Sequence, residues 1–283
     1  VTAAAPRLLV VTDLDGSLLD EVGYGFEPAS EALARLAERQ IPLVLCSSKT
    51  RAEMEPLAQV LGLAAPLIVE NGGALVVPEA AGLEVPGARK EPGAQVLELG
   101  HRRITLARAL AEIARETGAA LRSFAALSVD EVSCLTGLGP AAARLAMERH
   151  FDEPFLLADP AAEPRVVEAA RRRGLKVQRG GRFHHLMGSD KGRALHVLVG
   201  LFSARGELFE TVGIGDAGND LPLLEAVDRP IVIPRAGRVD PVLAECLPRA
   251  ERAPEPGPAG WNAAVLAVLD GRRLPTVGEG SLG

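Results

Sequence analysis

An α/β protein is predicted, with a parallel-sheet core interrupted by an inserted α+β block, and three features of the sequence carry that prediction. The first is a series of short apolar runs at residues 8–12, 41–46, 67–70, 210–214 and 230–233, most of them separated by helical patterns. Such runs suit strands buried on both faces of a parallel sheet. The second is a stretch dense in Gly, Pro and charge at residues 82–93, which reads as a linker leaving one domain. The third is the different alternation beyond it, which ends near residue 187, where the βαβ texture returns. The core domain is therefore assigned to residues 1–84 and 188–283, and the inserted domain to residues 85–187.

The elements follow in order. After the strand at 8–12, Pro28 and Ser30 open an amphipathic helix with Leu33, Leu36 and Ala37 on one face. The strand at 41–46 completes a βαβ unit, and a helix at 50–61 and a strand at 67–70 precede the turn Asn71-Gly72-Gly73. The inserted block reads as strand 95–99, helix 106–117, strand 131–136, helix 140–150, strand 155–158, helix 163–173 and strands 175–179 and 183–187. The core resumes with helix 191–203, strand 210–214, helix 221–227 and strand 230–233. A Pro/Gly-rich piece at 254–260 and a loose tail after Leu274 close the chain.

Composition narrows the function classes. The 283 residues are 47% hydrophobic, enough for a substantial core, and the formal charge is −6. That charge argues against nucleic acid, whose recognition draws on clustered Lys and Arg. Three cysteines without a CxxC pair suggest neither a disulfide framework nor zinc, so a reducing, cytoplasmic setting is expected. The first apolar run is too short for a signal peptide or a membrane span. Arg far exceeds Lys, Asn and Gln are scarce and Pro is frequent, a balance that leans towards a thermophile.

Four stretches could carry chemistry. In Asp13-Leu14-Asp15-Gly16-Ser17, two carboxylates two residues apart on extended backbone point the same way at the carboxyl end of the first strand, where open α/β sheets bind ligands. One could attack phosphorus while the other protonates a leaving oxygen; the alternative is a solvated Asp-Gly turn. Gly215-Asp216-Ala217-Gly218-Asn219-Asp220 follows another buried strand, and its carboxylates suit a hard cation such as Mg²⁺; the alternative is a Gly-rich turn capped by Asn219 or Asp220. Ser47-Ser48-Lys49-Thr50 and Ser189-Asp190-Lys191-Gly192 offer hydroxyls, helix N-termini and an ammonium group to a phosphate, or else are an ordinary cap and an exposed helix residue.

The ordered stretches DLDGSLLD, LVLCSSKT, SDKGRAL and GDAGNDLPLL resemble the four signatures of the haloacid dehalogenase superfamily of phosphatases, over nearly the whole chain. The insertion is similar to a C2-type cap (C2B) on a Rossmann-like core. SSKTRAEM, VENGG and GGRFHHLMGSDKG are similar to the mannosyl-3-phosphoglycerate phosphatase family. The resemblance implies Mg²⁺ as cofactor and a small phosphosugar as substrate, with no membrane or nucleic-acid partner. It implies Asp13 as nucleophile and metal ligand, Asp15 as general acid and base that lends its backbone carbonyl to the metal, Asp216 as a further ligand and Asp220 close behind. Ser47 and Lys191 would hold the phosphoryl oxygens, with Asn219 orienting Lys191 or the phosphate. Ser17 stands where Thr is common, which keeps the hydroxyl.

Substrate-side candidates are Ser48, Lys49, Thr50, Arg182 and His184, with Arg51 as a further option. Arg182 and His184 share one face of a presumed strand and His185 takes the other. A glycerate carboxylate calls for a guanidinium or similar donor, while a lone His on a strand such as His184 is more often a structural partner than a ligand. A phosphomutase of the same fold and a non-catalytic sugar-phosphate sensor remain as alternatives. A dinucleotide-binding domain is disfavoured because no GxGxxG follows the first strand.

Overall fold

The computed structural model describes residues 6–21, 23–180 and 182–279. The chain forms two compact units, one of residues 1–47 with 191–283 and one of residues 48–190. The division by compactness thus falls at Ser47/Ser48, so that the helix and strands next in sequence lie in the second unit.

The first unit begins with β1 (Arg7–Thr12), α1 (Ser30–Glu38) and β2 (Leu43–Cys46). The second holds α2 (Arg51–Val60), β3 (Leu67–Val69), β4 (Ala74–Pro78), β5 (Arg89–Glu91), β6 (Ala94–Glu98), α3 (Arg103–Thr117), β7 (Leu121–Ser123), α4 (Val129–Thr136), α5 (Pro140–Met147), β8 (Asp152–Leu157), α6 (Glu163–Arg171), β9 (Lys176–Arg179) and β10 (His184–Met187). The first unit resumes with α7 (Lys191–Ser203), β11 (Phe209–Gly215), α8 (Leu221–Glu225), β12 (Arg229–Val232), α9 (Pro241–Cys246), β13 (Glu251–Arg252) and α10 (Gly257–Leu269).

In the first unit five strands run parallel in the order β13-β12-β11-β1-β2. Leu9, Val10, Val11, Val44, Leu45, Val212 and Ile214 have no exposure at all, as expected where helices cover both faces. Because neighbouring parallel strands end on the same edge, Asp216, Asp13 and Ser47 are carried to adjacent tips of β11, β1 and β2. Trp261 of α10 is fully buried, and its Nε1 donates to Thr12 Oγ1 at 2.9 Å. Thr12 Oγ1 in turn donates to the Asp13 carbonyl at 2.7 Å, so α10 braces the backbone beside the first acidic motif.

In the second unit β3-β4-β6-β5 are antiparallel neighbours, and a separate antiparallel sheet has the order β7-β8-β10-β9. Leu106, Leu110 and Ile113 of α3 and Val166 and Ala169 of α6 pack with Phe155 and Leu186 of that sheet. The polar centre of the unit is buried too. Glu70 accepts from the backbone N–H groups of His150 and Phe151 at 2.7–3.0 Å. Asp152 Oδ2 accepts from Arg149 at 3.0 Å and Asn71 at 3.2 Å and lies 2.7 Å from His185 Nδ1.

Several expectations are corrected here. The strand expected at 131–136 is the helix α4: Ser128 and Glu131 form a reciprocal capping box, and Gly137 ends the helix at φ +80°. The expected linker at 82–93 contains β5, which turns at Gly93 into β6. The Pro/Gly-rich piece starts α10, in which Ala264, Val265, Ala267 and Val268 are buried with Trp261. The chain beyond Leu274 is held as far as it is described, since Val277 is buried and its N–H donates to the Ala250 carbonyl at 2.8 Å. Among the described residues no helix is long and apolar enough to cross a membrane.

Replacing Trp261 by Phe removes the donor to Thr12 and leaves a small void in close-packed surroundings. The expected loss is about 1–3 kcal/mol of unfolding free energy, read from the denaturant midpoint at constant slope. No loss would mean that α10 does not brace β1.

Candidate active site

The backbone after β1 leaves the sheet through Gly16, whose φ of +80° admits few other residues. A Cβ at this position would also collide with the Asp216 carboxylate, so the glycine lets the two acidic segments approach closely. Asp13 continues β1 by donating its N–H to the Ile214 carbonyl of β11 at 2.8 Å. Beyond β11 the turn 216–220 is built around Asp220, whose Oδ2 accepts from the backbone N–H of Asp216 at 3.0 Å and of Ala217 at 3.2 Å.

Lys191 joins these pieces. It is the first residue of α7 and only 1% exposed, and Gly192 beside it lies so close to the Pro222 carbonyl of α8 that a Cβ would not fit. Its Nζ donates to Asp13 Oδ1 at 2.5 Å and to Asp220 Oδ1 at 2.6 Å. Asp13, Asp216 and Asp220 form a buried group in which one oxygen from each lies within 4.8 Å of the others. Ser17 Oγ is 3.5 Å from Asp216 Oδ1, and Asp216 Oδ2 accepts from Arg235 Nε. Ser47 is buried two residues beyond Leu45, the β2 partner of Thr12.

The electrostatics follow from crowding in a dry setting. Burial, helped by the charges of Asp220 and Asp15 and opposed by Lys191, pushes Asp13 up to about 7. Burial, with Asp220 and Asp13 adding to it and Arg235 opposing, pushes Asp216 up to about 8. For Lys191, burial disfavours the charged form, but Asp13 and Asp220 outweigh it and hold the amine well above the usual lysine value. Negative charge thus exceeds what the local cations neutralise. An all-oxygen donor set of this kind can hold a hard metal ion. Asp220 already spends Oδ1 on Lys191 and Oδ2 on two backbone donors, which leaves Asp13 and Asp216 better placed as direct ligands.

The other candidates have different surroundings. Asp15 is half-buried and bridges to Leu19 in the turn around Gly16, and Asn219 is half-buried in the turn before α8. In the second unit the Ser48 carbonyl accepts from Arg149 at 2.9 Å, and Lys49 is half-buried. Thr50 is the N-cap of α2: its Oγ1 accepts from Glu53 N at 3.2 Å and donates to the Leu145 carbonyl at 2.9 Å. Arg51 pairs with Glu55 at 2.5 Å and with Glu91, and it lines a cavity of about 300 Å³ together with Val69, Val76 and Val96. Arg182 is exposed and donates to the Leu135 carbonyl. His184 stacks on Phe155 with ring centroids 5.4 Å apart, its Nε2 3.3 Å from Glu163 Oε1. Two contributors escape a reading of motifs. Arg235 follows β12 in the run Pro234-Arg235-Ala236-Gly237, and a basic residue in a turn just past a buried strand was the available signal. Trp261 carried no signal beyond being the one tryptophan.

Carboxyls raised in this way bind more protons folded than unfolded between their ordinary value of 3.8 and about 8. Metal-free protein therefore loses stability as pH rises through that window. Asp216→Asn should gain a few degrees of melting temperature on the wild type near pH 8 and gain less near pH 4.5 in EDTA. Thermal unfolding at the two pH values checks this, and an equal difference at both would contradict it.

Residues 10–84 match the family model of haloacid dehalogenase-like hydrolases. The glucosyl-3-phosphoglycerate/mannosyl-3-phosphoglycerate phosphatase of Methanococcoides burtonii is 36% identical over 92% of this chain and 97% of its own. The mannosyl-3-phosphoglycerate phosphatase of Pyrococcus furiosus is 35% identical over 78% of this chain and 88% of its own. A solved haloalkanoate-superfamily phosphatase from Bacteroides thetaiotaomicron superposes with a TM-score of 0.66 at 16% identity, covering 95% of this chain and 97% of that one. That likeness speaks for the fold, while the relatives above speak for descent. With relatives of this identity and coverage, the chain belongs to the haloacid dehalogenase-like hydrolases, in the family of the glycosyl-3-phosphoglycerate phosphatases.

Proposed function

We propose that this chain is a Mg²⁺-dependent phosphatase that hydrolyses mannosyl-3-phosphoglycerate, and glucosyl-3-phosphoglycerate as well, to the glycosylglycerate and phosphate in the cytoplasm. Such a reaction would serve the synthesis of a compatible solute. The observation that carries the reading is the Lys191 bridge between Asp13 and Asp220 with Asp216 beside it. The names of the relatives support the substrate class. Residues 1–84 and 188–283 would act as the catalytic core and 85–187 as the cap.

Asp13 attacks phosphorus in line, forming an Oδ–P bond as the bond from phosphorus to the glycerate oxygen breaks. Asp15 gives its proton to that oxygen and then takes one from the water that hydrolyses the aspartyl phosphate. Ser47 and Lys191 hold the phosphoryl oxygens, and Asn219 helps orient them. Lys191 stays charged throughout, because its carboxylate neighbours hold it well above the usual lysine value. Asp13, Asp216 and the Asp15 carbonyl would hold Mg²⁺, with Asp220 close behind; the bound ion supplies positive charge against the phosphoryl oxygens. Ser48, Lys49 and Arg182 are left to meet the sugar and the glycerate carboxylate. Thr50 and His184 already have partners within the fold, which would limit what they add.

The test is a phosphate-release screen over glycosyl-phosphoglycerates and simple sugar phosphates, with and without Mg²⁺. Release only from the former and only with Mg²⁺ is expected; an isomerised sugar phosphate without free phosphate would make the chain a mutase. In the same assay Asp13→Asn abolishes turnover while circular dichroism stays native. Asp15→Asn lowers kcat by about 10²–10⁴-fold, the usual worth of a positioned proton donor. Turnover by Asp13→Asn at the wild-type rate would remove the covalent step.

A further inference from the structure

Arg235 is absent from the four motifs, yet it touches the acidic cluster more directly than most residues within them. Its Nε donates to Asp216 Oδ2, and its NH1 lies 3.5 Å from Glu21 Oε1. The guanidinium also lies over Gly16, where a Cβ would sit 3.5 Å from Nε. Asp216 is 1% exposed and Arg235 is 40% exposed at its side chain, so a buried carboxylate is paired with a cation that has a way out to solvent.

The placement is built into the backbone. Arg235 and Arg238 exchange two backbone hydrogen bonds, of 2.7 and 2.8 Å, around Ala236 and Gly237 at φ +45° and +76°. This is a tight hairpin turn of the type that needs left-handed residues at both centres. Arg252 donates to the Gly237 carbonyl at 2.8 Å and fixes the turn from its far side. Alanine in that conformation is uncommon and tends to mark a position determined by its surroundings.

A guanidinium does not give up its proton, so it cannot release Asp216 by neutralisation. It can release it only by moving, and Glu21, 61% exposed, offers the nearest second anion. We propose that Arg235 is a built-in counter-cation for the acidic cluster, paired with Asp216 until a divalent ion takes Oδ2 and sends the guanidinium towards Glu21, and that this exchange sets the Mg²⁺ affinity. The proposal rests on Asp216 being a metal ligand, as in the function proposed above. It assigns Arg235 a positioning part: it keeps a buried carboxylate in place when the ion is away and makes binding of the ion reversible. Removing one partner of a buried pair leaves the other charge uncompensated, which is the penalty that Arg235 prevents.

The test is calorimetric titration of MgCl₂ into the full-length, metal-free protein without substrate. Arg235→Gln should bind Mg²⁺ about tenfold more tightly than the wild type, and Glu21→Gln about threefold more weakly, each read as a change in Kd. Arg238→Gln removes an equal charge from the same turn and should stay within about twofold of the wild type. In EDTA, Arg235→Gln should melt below the wild type, and the gap should close at saturating MgCl₂. Unchanged or weaker binding by Arg235→Gln overturns the exchange, and so does an equal gain in Arg238→Gln, which would be a general field effect. If neither wild type nor variant binds Mg²⁺, the metal reading of Asp216 falls with it, an outcome distinct from equal binding by both.

Discussion

A single ammonium group, removed from water, lies between two carboxylates that reach it from different parts of the core: Asp13 at the tip of β1 and Asp220 in the turn before α8. Desolvating three charged groups costs several kcal/mol each, and Coulomb attraction returns that only where the geometry is tight and the remaining lone pairs are satisfied. The surroundings meet that condition. The backbone donors of residues 216 and 217 complete Asp220, and the close approach of Gly192 to α8 sets where α7 begins. The strand tips, the turns and the start of α7 all have to agree with the position of this one nitrogen.

The same constraint explains why the acidic residues stand in a charge-rich cluster that an apolar core would render more stable. Two of the carboxyls are pushed to values near neutrality by burial and by each other. A cluster held in that state favours any cation that can reach it, and that preference is what a phosphoryl-transfer site has to supply. Lys191 provides fixed charge, Arg235 provides charge that can leave, and the oxygens between them suit a hard ion.

Much of this was legible in the chain. The strands β1, β2, β11 and β12 are apolar at their centres, with Arg7, Thr12, Glu210, Thr211 and Arg229 as the polar residues towards their ends, because parallel strands covered on both faces have little polar side to show. Three of them, β1, β2 and β11, lead into the motif residues Asp13, Ser47 and Asp216 at the carboxyl edge, where an α/β sheet leaves room for a ligand. Helix α4 was hidden by its β-branched residues, although the Ser128-to-Glu131 box was present in the sequence. Helix α10 was hidden for the opposite reason: buried nearly all round, it lacks the polar face by which a surface helix announces itself. Arg235 and Trp261 act across the fold, and Trp261 reaches a hydroxyl 249 positions away. No local pattern encodes such a contact.

The pairing of β1 with β11 matches Val10 with Val212, so the strand carrying Asp13 waits for a neighbour about 200 residues later in the chain. On the ribosome, at about 5–20 residues per second, that wait lasts roughly 10–40 s. Residues 48–190 can meanwhile collapse around their own apolar centre, while β1 and β2 have emerged with one side of their sheet unfinished. An unpaired, largely apolar strand is a natural target for chaperones and a hazard for misassociation. The insertion that divides the first unit thus also sets a timetable for biosynthesis, in which the acidic strand tip is made long before it is completed.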